Sequence, residues 1–585
     1  MAEQEGVRAP QATSEVAARP LCFGIWSDLL TQHEKSRGGA PAVTQRLPDG
    51  QYVTTTYAAL ARKVRVYAEL FADTTEPDQV IPLCLARGAE CVAAMLGALV
   101  SGRAFCCVNP KLRLPQLETI LTRLDAPIAL VDGQGLLSLR GSWESGSPLL
   151  ATQWYAVPGP AATRAAKRVL EELSAQAAVV VMPEESLDPR ALSVLEPLPS
   201  EGEEERAVGC CLFTSGSTGE PKGVLITRSD LAARARVEVE WLGVQADDVL
   251  LSLLPFSFDV GLNQLLSAMY AGAELVIIES WLPADILGTV AARGVTGIAG
   301  VPSIWADFMV HGRAFDTAEA HRSLRFFTIS GGDLSEAQHA QVPVMAPGVQ
   351  VFKTYGQTEA FRIASLRPEQ YAARPGSVGR ALPGGRVYVV REDGSLAEPN
   401  ETGEVVHTGV GTMLAYLSGE EREAKLRWNP WHGEDDPRPM AVFTGDFGHL
   451  DDEGFLFLAG RRDDLVKIQG NRVYPSEVKN LLTALPGVAT AEVVAVTQAE
   501  RTRLAAFVIA VEGETIDAET LRRQLQDRAP SYMLPEVLQV TDELPRTASG
   551  KPDRASLATK ALEALAGKAI GIATLLCIHL PTWLG

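Results

Sequence analysis

Three features of the sequence predict an α/β fold with a large N-terminal domain of parallel-rich sheets and a small α+β C-terminal domain. Short apolar runs of strand type alternate with amphipathic helical stretches, the pattern of βαβ units. The chain has 585 residues, too long for one hydrophobic core to organise. Close to residue 461 a glycine- and charge-rich stretch interrupts the alternation, and a shorter set of strand and helix signals begins.

The elements follow in chain order. Residues 1–20 are polar and rich in Ala, Gln and Glu, a composition expected to stay disordered. Apolar residues recur at helical spacing over 57–71 and 90–99, and strands are expected at 79–85 and 128–131. The stretch 133–206 mixes Gly/Ser-rich pieces, a helix-like segment at 164–175 and an acidic run, 201–205, read as a solvated linker. From 208 to about 440 the α/β alternation resumes, with strand candidates at 249–253, 273–278, 297–301 and 326–329. After the boundary placed at 461, helices are expected at 473–482 and 516–528 and strands at 488–496 and 505–511. The domains are therefore set at 21–460 and 461–556. The remaining tail, 557–585, ends in an apolar run shorter than a membrane span of about 20 residues. It is read as an appended or disordered segment, with an interfacial anchor and a helix packed on the body as alternatives.

Formal net charge is −19, which excludes a general nucleic-acid binder because phosphate backbones demand basic surface. The eight cysteines include the adjacent pairs Cys106-Cys107 and Cys210-Cys211 but show no CxxC or Cys/His zinc spacing. They are expected to be buried, reduced thiols of a cytoplasmic protein. No export signal is read at the N-terminus, and a membrane association is not expected.

The chemistry concentrates in five stretches. In Thr214-Ser215-Gly216-Ser217-Thr218-Gly219-Glu220-Pro221-Lys222-Gly223, glycines free backbone N–H groups, hydroxyls add donors and Lys222 adds a point charge, which suits a polyphosphate. It is not a Walker loop, since Gly223 follows Lys222. Then come Thr354-Tyr355-Gly356-Gln357-Thr358-Glu359, Thr444-Gly445-Asp446, Gly460-Arg461-Arg462-Asp463 leading to Gly470, and Thr547-Ala548-Ser549-Gly550-Lys551. Taken singly, Tyr355 reads as a core aromatic and Asp446 or Glu359 as a solvated turn carboxylate.

Together, in this order, the five stretches resemble the adenylate-forming superfamily: acyl-CoA synthetases, adenylation domains of nonribosomal peptide synthetases and beetle luciferases. The resemblance covers about residues 40–556 and implies a mobile C-terminal domain, ATP and Mg²⁺. It implies that Thr214, Ser215, Gly216, Ser217, Thr218, Gly219 and Lys222 embrace the β- and γ-phosphates. Tyr355 would lie against adenine, with Gly331, Gly332 and Gly356 admitting the nucleotide. Thr358 would bond the α-phosphate, Glu359 would ligate Mg²⁺, and Asp446 and Arg461 would hold the ribose. Lys551 would reach the carboxylate and α-phosphate oxygens as the catalytic cation, Asp463 would be the hinge, and Gly470 would line the channel for a thiol.

Substrate choice is argued from Phe256-Ser257-Phe258-Asp259. A carboxylate in an apolar wall needs a partner, and a substrate ammonium is one; the alternative is an Asp capping the next helix. Phe258, Ser330, Phe361 and Arg362 complete the expected substrate pocket, with Arg362 either gripping a second carboxylate or ion-paired within the protein. The stretches 355–362 and 256–264 also look like free-standing β-amino acid adenylation enzymes of macrolactam assembly, and like acyl ligases encoded with exopolysaccharide and exosortase systems. The expected activity is adenylation of an amino acid, with a β-amino acid of 3-methylaspartate type as the candidate, and transfer to a discrete acyl carrier protein. The alternatives are an AMP-forming CoA ligase for a fatty or aryl acid, and a nucleotide-binding regulator or luciferase-like oxidase.

Overall fold

The structure is a computed structural model. It describes residues 25–77, 79–109, 112, 114–139, 152–157, 179–181, 207–215, 221–311, 315, 322–374, 376–417, 425–433, 439–461, 464, 466–468, 471–498, 501–547 and 550–578. The expectations for 1–20, 164–175 and 201–205, and for Gly216, Ser217, Thr218, Gly219, Asp463 and Gly470, lie outside these residues.

Two sheets build the large domain. The first is parallel from strand Pro41–Arg46 through Glu274–Ile277, Val249–Ser252, Gly297–Gly300 and Phe326–Ile329 to Gln350–Gln357. Each crossover is made by a helix, such as Asp259–Ala271 and Pro283–Arg293. Buried apolar runs suit strands covered on both faces. The second sheet carries Val80–Cys84, Ala104–Cys107, Ile128–Val131 and Val208–Ser215 in parallel, then turns back through Pro221–Thr227. The strands predicted in this domain fall where expected to within a residue or two, and Tyr57–Thr74 and Ala89–Val100 are the expected helices. Cys84, Cys91, Cys106, Cys107, Cys210 and Cys211 are free and buried.

The α/β alternation ends sooner than the sequence suggested. After Gln350–Gln357 the sheet continues antiparallel through Ala360–Leu366, Ser377–Ala381, Leu456–Arg461 and Met440–Leu450. The reason is local: among the described residues only the four-residue helix Pro368–Tyr371 intervenes, and parallel pairing needs a crossover of a dozen or more residues.

Beyond Arg461 the described strands leave this sheet. Val466–Ile468 pairs with Asn471–Val473, and Val488–Gln498, Arg501–Ala510 and Val537–Val540 form a separate sheet. Helices Pro475–Thr483 and Ala518–Gln526 cover it around their own core of Val478, Leu482, Leu504, Leu521 and Leu525.

The tail expectation is corrected in part. Helix Arg554–Ile578 runs across position 556, and Leu557, Ala561 and Leu565 are buried against Val494, Ala505 and Phe507. Their spacing of four residues makes one helical stripe, so residues 557–565 belong to the packed body. No helix among the described residues is long and apolar enough to cross a membrane.

Candidate active site

Four of the five chemical stretches sit on strand ends or turns, and the fold assembles them. Val208–Ser215 and Pro221–Thr227 form a hairpin that sets Thr214 opposite Lys222. Both are half-buried.

Thr354 to Glu359 is a strand end running into a two-residue turn before Ala360–Leu366. The register shifts between Tyr355 and Gln357. Gly356 lies in that bulge, where a Cβ would stand 2.5 Å from the Arg362 backbone nitrogen, so only glycine fits. The bulge turns Tyr355 inward, and its hydroxyl donates to Asp446 Oδ2 at 2.6 Å. Burial and the neighbouring carboxylate push the Tyr355 phenol well above its ordinary pKa, so it stays a donor. Asp446 faces Arg461 across the ladder, Oδ1 to Nε 3.1 Å. Thr444 Oγ1 accepts from the Asp446 N–H at 3.0 Å.

Glu359 is buried, and its Oε1 accepts from Tyr416 OH at 2.9 Å and from Lys425 Nζ at 3.0 Å. Burial alone would raise its pKa, but the Lys425 charge and these hydrogen bonds outweigh it, and the net shift is downward. An ionised carboxylate here suits a Mg²⁺ that also takes phosphate oxygens and water. No cluster of three or more His, Cys, Asp or Glu among the described residues could hold a metal alone, so the nucleotide would have to complete the set.

At the end of strand Phe326–Ile329, Ser330 is buried and Gly331 has φ +74°. A Cβ on Gly331 would stand 3.1 Å from the Phe258 ring and 3.4 Å from Lys551 Cε. Lys551 thus comes from the small domain to lie against the glycine turn, its ammonium 5.0 Å from the Phe258 ring centre. The loop is docked by Ser303 Oγ, which donates to the Gly550 carbonyl at 2.6 Å, and by an Arg546–Asp307 pair at 2.6 Å. The lysine lies in a cleft between the domains that remains open to water. Desolvation there lowers its pKa, while Asp259 pulls the other way.

Asp259 opens helix Asp259–Ala271, with Phe258 at the cap, and its Oδ1 accepts from the Val260 N–H at 2.9 Å. The capping alternative is thus partly realised. Burial raises the carboxyl pKa, opposed first by Lys551 and then by the Val260 N–H, Arg362 and Arg234. Of the two alternatives for Arg362, the structure shows the ion-paired one. Its Nη2 pairs with buried Glu238 at 2.8 Å, and Nη1 donates to Ser330 Oγ at 3.0 Å and Thr354 Oγ1 at 2.6 Å. Phe361 is buried, with the Arg234 guanidinium stacked 3.8 Å from its ring centre. Thr358 is half-buried in the turn beside Glu359.

No sequence signal singles out Glu238, Lys425, Tyr416 or Ser303. Each reaches the site from a distant segment, and no motif marks them. Gln357 was visible within its motif but carried no assigned task; its amide donates to Asp446 Oδ2 at 2.5 Å and to the Thr444 carbonyl at 3.0 Å.

The AMP-binding enzyme family matches residues 30–417, and the AMP-binding enzyme C-terminal domain matches 477–551. The chain belongs to the AMP-binding enzyme family. This is the superfamily of adenylate-forming ligases that the five stretches resemble. The indoleacetate–CoA ligase of Aromatoleum aromaticum is 32% identical over 342 residues, 58% of this chain and 64% of that protein. The δ-poly-L-ornithine synthetase of Acinetobacter baumannii is 27% identical over 88% of this chain, which spans 36% of its length. Among solved structures, the anthranilate CoA ligase AuaEII with anthranoyl-AMP has the same fold, with TM-score 0.74, 22% identity, and 94% and 100% of the two chains covered. The o-succinylbenzoate CoA synthetase MenE of Bacillus subtilis with its acyl-adenylate gives TM-score 0.69 at 25% identity, covering 90% of this chain and 97% of that one.

Proposed function

We propose that this AMP-binding enzyme family member uses ATP to adenylate an amino acid, releasing pyrophosphate, and passes the acyl group to a thiol. The observation that carries this reading is the approach of Lys551 to Phe258, Gly331 and the Asp259 charge, with Asp446, Tyr355 and Glu359 supplied by neighbouring strands and the turn between them. In-line attack of a carboxylate on the α-phosphate needs a cation at the reacting oxygens and fixed donors around them. Lys551 supplies the cation, and Thr358 the hydroxyl donor. Asp446 accepts the ribose hydroxyls, Tyr355 and the glycine turn enclose adenine, and Glu359 supplies the protein ligand to Mg²⁺, which screens the phosphates. Thr214, Lys222 and the hairpin loop between them cradle the β- and γ-phosphates.

Asp259 supports an amino acid substrate, because a carboxylate in a poorly solvated wall gains most from a bound ammonium. The long matches to the poly-ornithine synthetase and to the Bacillus subtilis surfactin synthase subunit 2, which is 25% identical over 90% of this chain, point the same way. A β-amino acid remains our preferred class. A 3-methylaspartate-type acid would have to compete with Glu238 for Arg362. The acceptor is proposed to be a discrete carrier protein, with CoA as the alternative, in the cytoplasm; Asp463 is the proposed hinge of a domain boundary near 461, and Gly470 part of the thiol channel. The second reading is a CoA ligase for an aryl acid, favoured by the indoleacetate- and 2-succinylbenzoate-specific relatives.

Substrate-dependent ATP–pyrophosphate exchange across α-amino, β-amino, aryl and fatty acids decides between them. Exchange confined to amino acids, lost in Asp259→Ala, is expected; exchange with aryl acids that survives Asp259→Ala would establish the second reading. Lys551→Ala is expected to lower exchange by about 100-fold or more while leaving ATP binding in place.

A further inference from the structure

Gln357 and Lys425 join the two ends of the nucleotide site in a way that none of the roles above requires. Lys425 Nζ donates to Glu359 Oε1 and to Gln357 Oε1, each at 3.0 Å. The other end of the same carboxamide, Gln357 Nε2, donates to Asp446 Oδ2, where the Tyr355 hydroxyl also arrives. One continuous chain thus runs Tyr416–Glu359–Lys425–Gln357–Asp446–Tyr355, from the metal-ligating carboxylate to the ribose-facing one. The amide has one sensible orientation in it. Reversed, its NH₂ would meet an ammonium and its oxygen a carboxylate, and both contacts would repel.

The placement of Lys425 is not accidental to the site. It immediately precedes strand Leu426–Trp428, which pairs with Met440–Leu450, the strand that carries Asp446. Leu426 is buried opposite Val442 and anchors the segment. The lysine side chain is three-quarters shielded and Glu359 more so, which makes the ion pair stronger and more directional than a surface pair.

We propose that Lys425 is a positioning residue of the nucleotide site: by holding Glu359 and Gln357 together it fixes the Gln357 amide and, through it, the Asp446 carboxylate that receives the ribose. The proposal rests on the reading that Asp446 and Tyr355 bind the nucleotide. Its distinctive consequence is that Lys425 acts on a ligand carrying neither metal nor triphosphate, through a residue it does not share with that ligand.

The test is titration of the full chain with AMP in metal-free, chelator-containing buffer. Lys425→Met is expected to weaken AMP about tenfold, Gln357→Leu to do the same, and the double variant to be no worse than either, since both break one relay. Lys425→Arg is expected to stay within about threefold, because it keeps the cation and the two donors. Unchanged AMP affinity in Lys425→Met, or additive losses in the double variant, would overturn the proposal, as would a lowered melting temperature with normal AMP affinity. Should Lys425→Met fail to fold, Lys425→Gln is read by the same criteria. Asp446→Asn separates the two levels. If it leaves AMP binding intact, the nucleotide-site reading fails; if it abolishes binding while the Lys425 variants bind normally, only the Lys425 proposal fails.

Discussion

At the scale of single residues, Gly331 shows how little space the reacting centre allows. Its φ of +74° costs an L side chain about 1–2 kcal/mol. A methyl group there would also press on Phe258 and on Lys551 Cε. Gly331→Ala is therefore expected to lower pyrophosphate exchange far more than it lowers the melting temperature, because the displaced group is the lysine proposed to act at the reacting oxygens. Equal losses in both would make the glycine structural. Asp259 supplies a pH dependence with a definite sign. Only its ionised form attracts an ammonium, and burial has raised its pKa above that of an ordinary aspartate. Affinity for an amino acid substrate is thus expected to fall as pH drops through that raised value, beginning at a higher pH than for an exposed aspartate. A desamino analogue should lack this fall; if both acids lose affinity together, Asp259 does not bind the ammonium.

At the scale of elements, strand Gln350–Gln357 is tied to the glycine turn by charge as well as by its ladder. Lys353, fully buried on that strand, pairs with Asp333 at 2.7 Å, two residues beyond Gly331. Asp333 also contacts His339 Nε2 at 2.8 Å, and His339 Nδ1 meets Tyr371 OH at 2.5 Å. Burial pushes the Asp333 pKa up, but Lys353 and His339 more than offset it, and the carboxyl stays ionised to lower pH than usual. Removing that carboxylate in Asp333→Ala is expected to cost about 3 kcal/mol, the low end for breaking a buried pair because water reaches Asp333. Asp333→Asn should cost less. Denaturant midpoints check both, and a loss below about 0.5 kcal/mol would place the pair among weak surface bridges. The same turn and strand carry Gly331, Gly332 and Tyr355, so a loosened clamp should also raise the KM for ATP.

At the scale of the whole molecule, the two domains are clasped where Lys551 enters. Arg546–Asp307 and Ser303–Gly550 hold the lysine loop against the large domain, and a Gln338 amide donating to the Ala489 carbonyl at 3.0 Å ties strand Val488–Gln498 to it. A partly exposed ion pair such as Arg546–Asp307 contributes about 0.5–1 kcal/mol. Asp307→Ala is accordingly expected to slow adenylation two- to fivefold. If the small domain swings away for thioester formation, that second half-reaction should be unaffected, and single-turnover measurements of each half-reaction separate the two. Equal slowing of both would show that the clasp stabilises the protein without favouring one arrangement.

Local chemistry made much of this legible from the sequence. Apolar runs of four or five residues between helical stretches had to be covered strands, and they are. The hydroxyl- and glycine-rich hairpin, the Tyr355 and Asp446 stretches and the Lys551 loop carry residue types whose chemistry is readable wherever they fold. The antiparallel half of the main sheet was missed because its strands lack the helical spacers that announce βαβ units. The packing of Leu557, Ala561 and Leu565 was missed because an apolar stripe does not name its partner. Pairing across the fold also escaped: Glu238 neutralises Arg362 from 124 positions away, and Lys425 reaches Glu359 from 66. The sequence by itself determined which side chains could do this chemistry and in what order the chain presents them. Only the tertiary structure decided which charges neutralise one another and which remain for a substrate, because a Coulomb pair depends on distance and burial, and neither is a property of position along the chain.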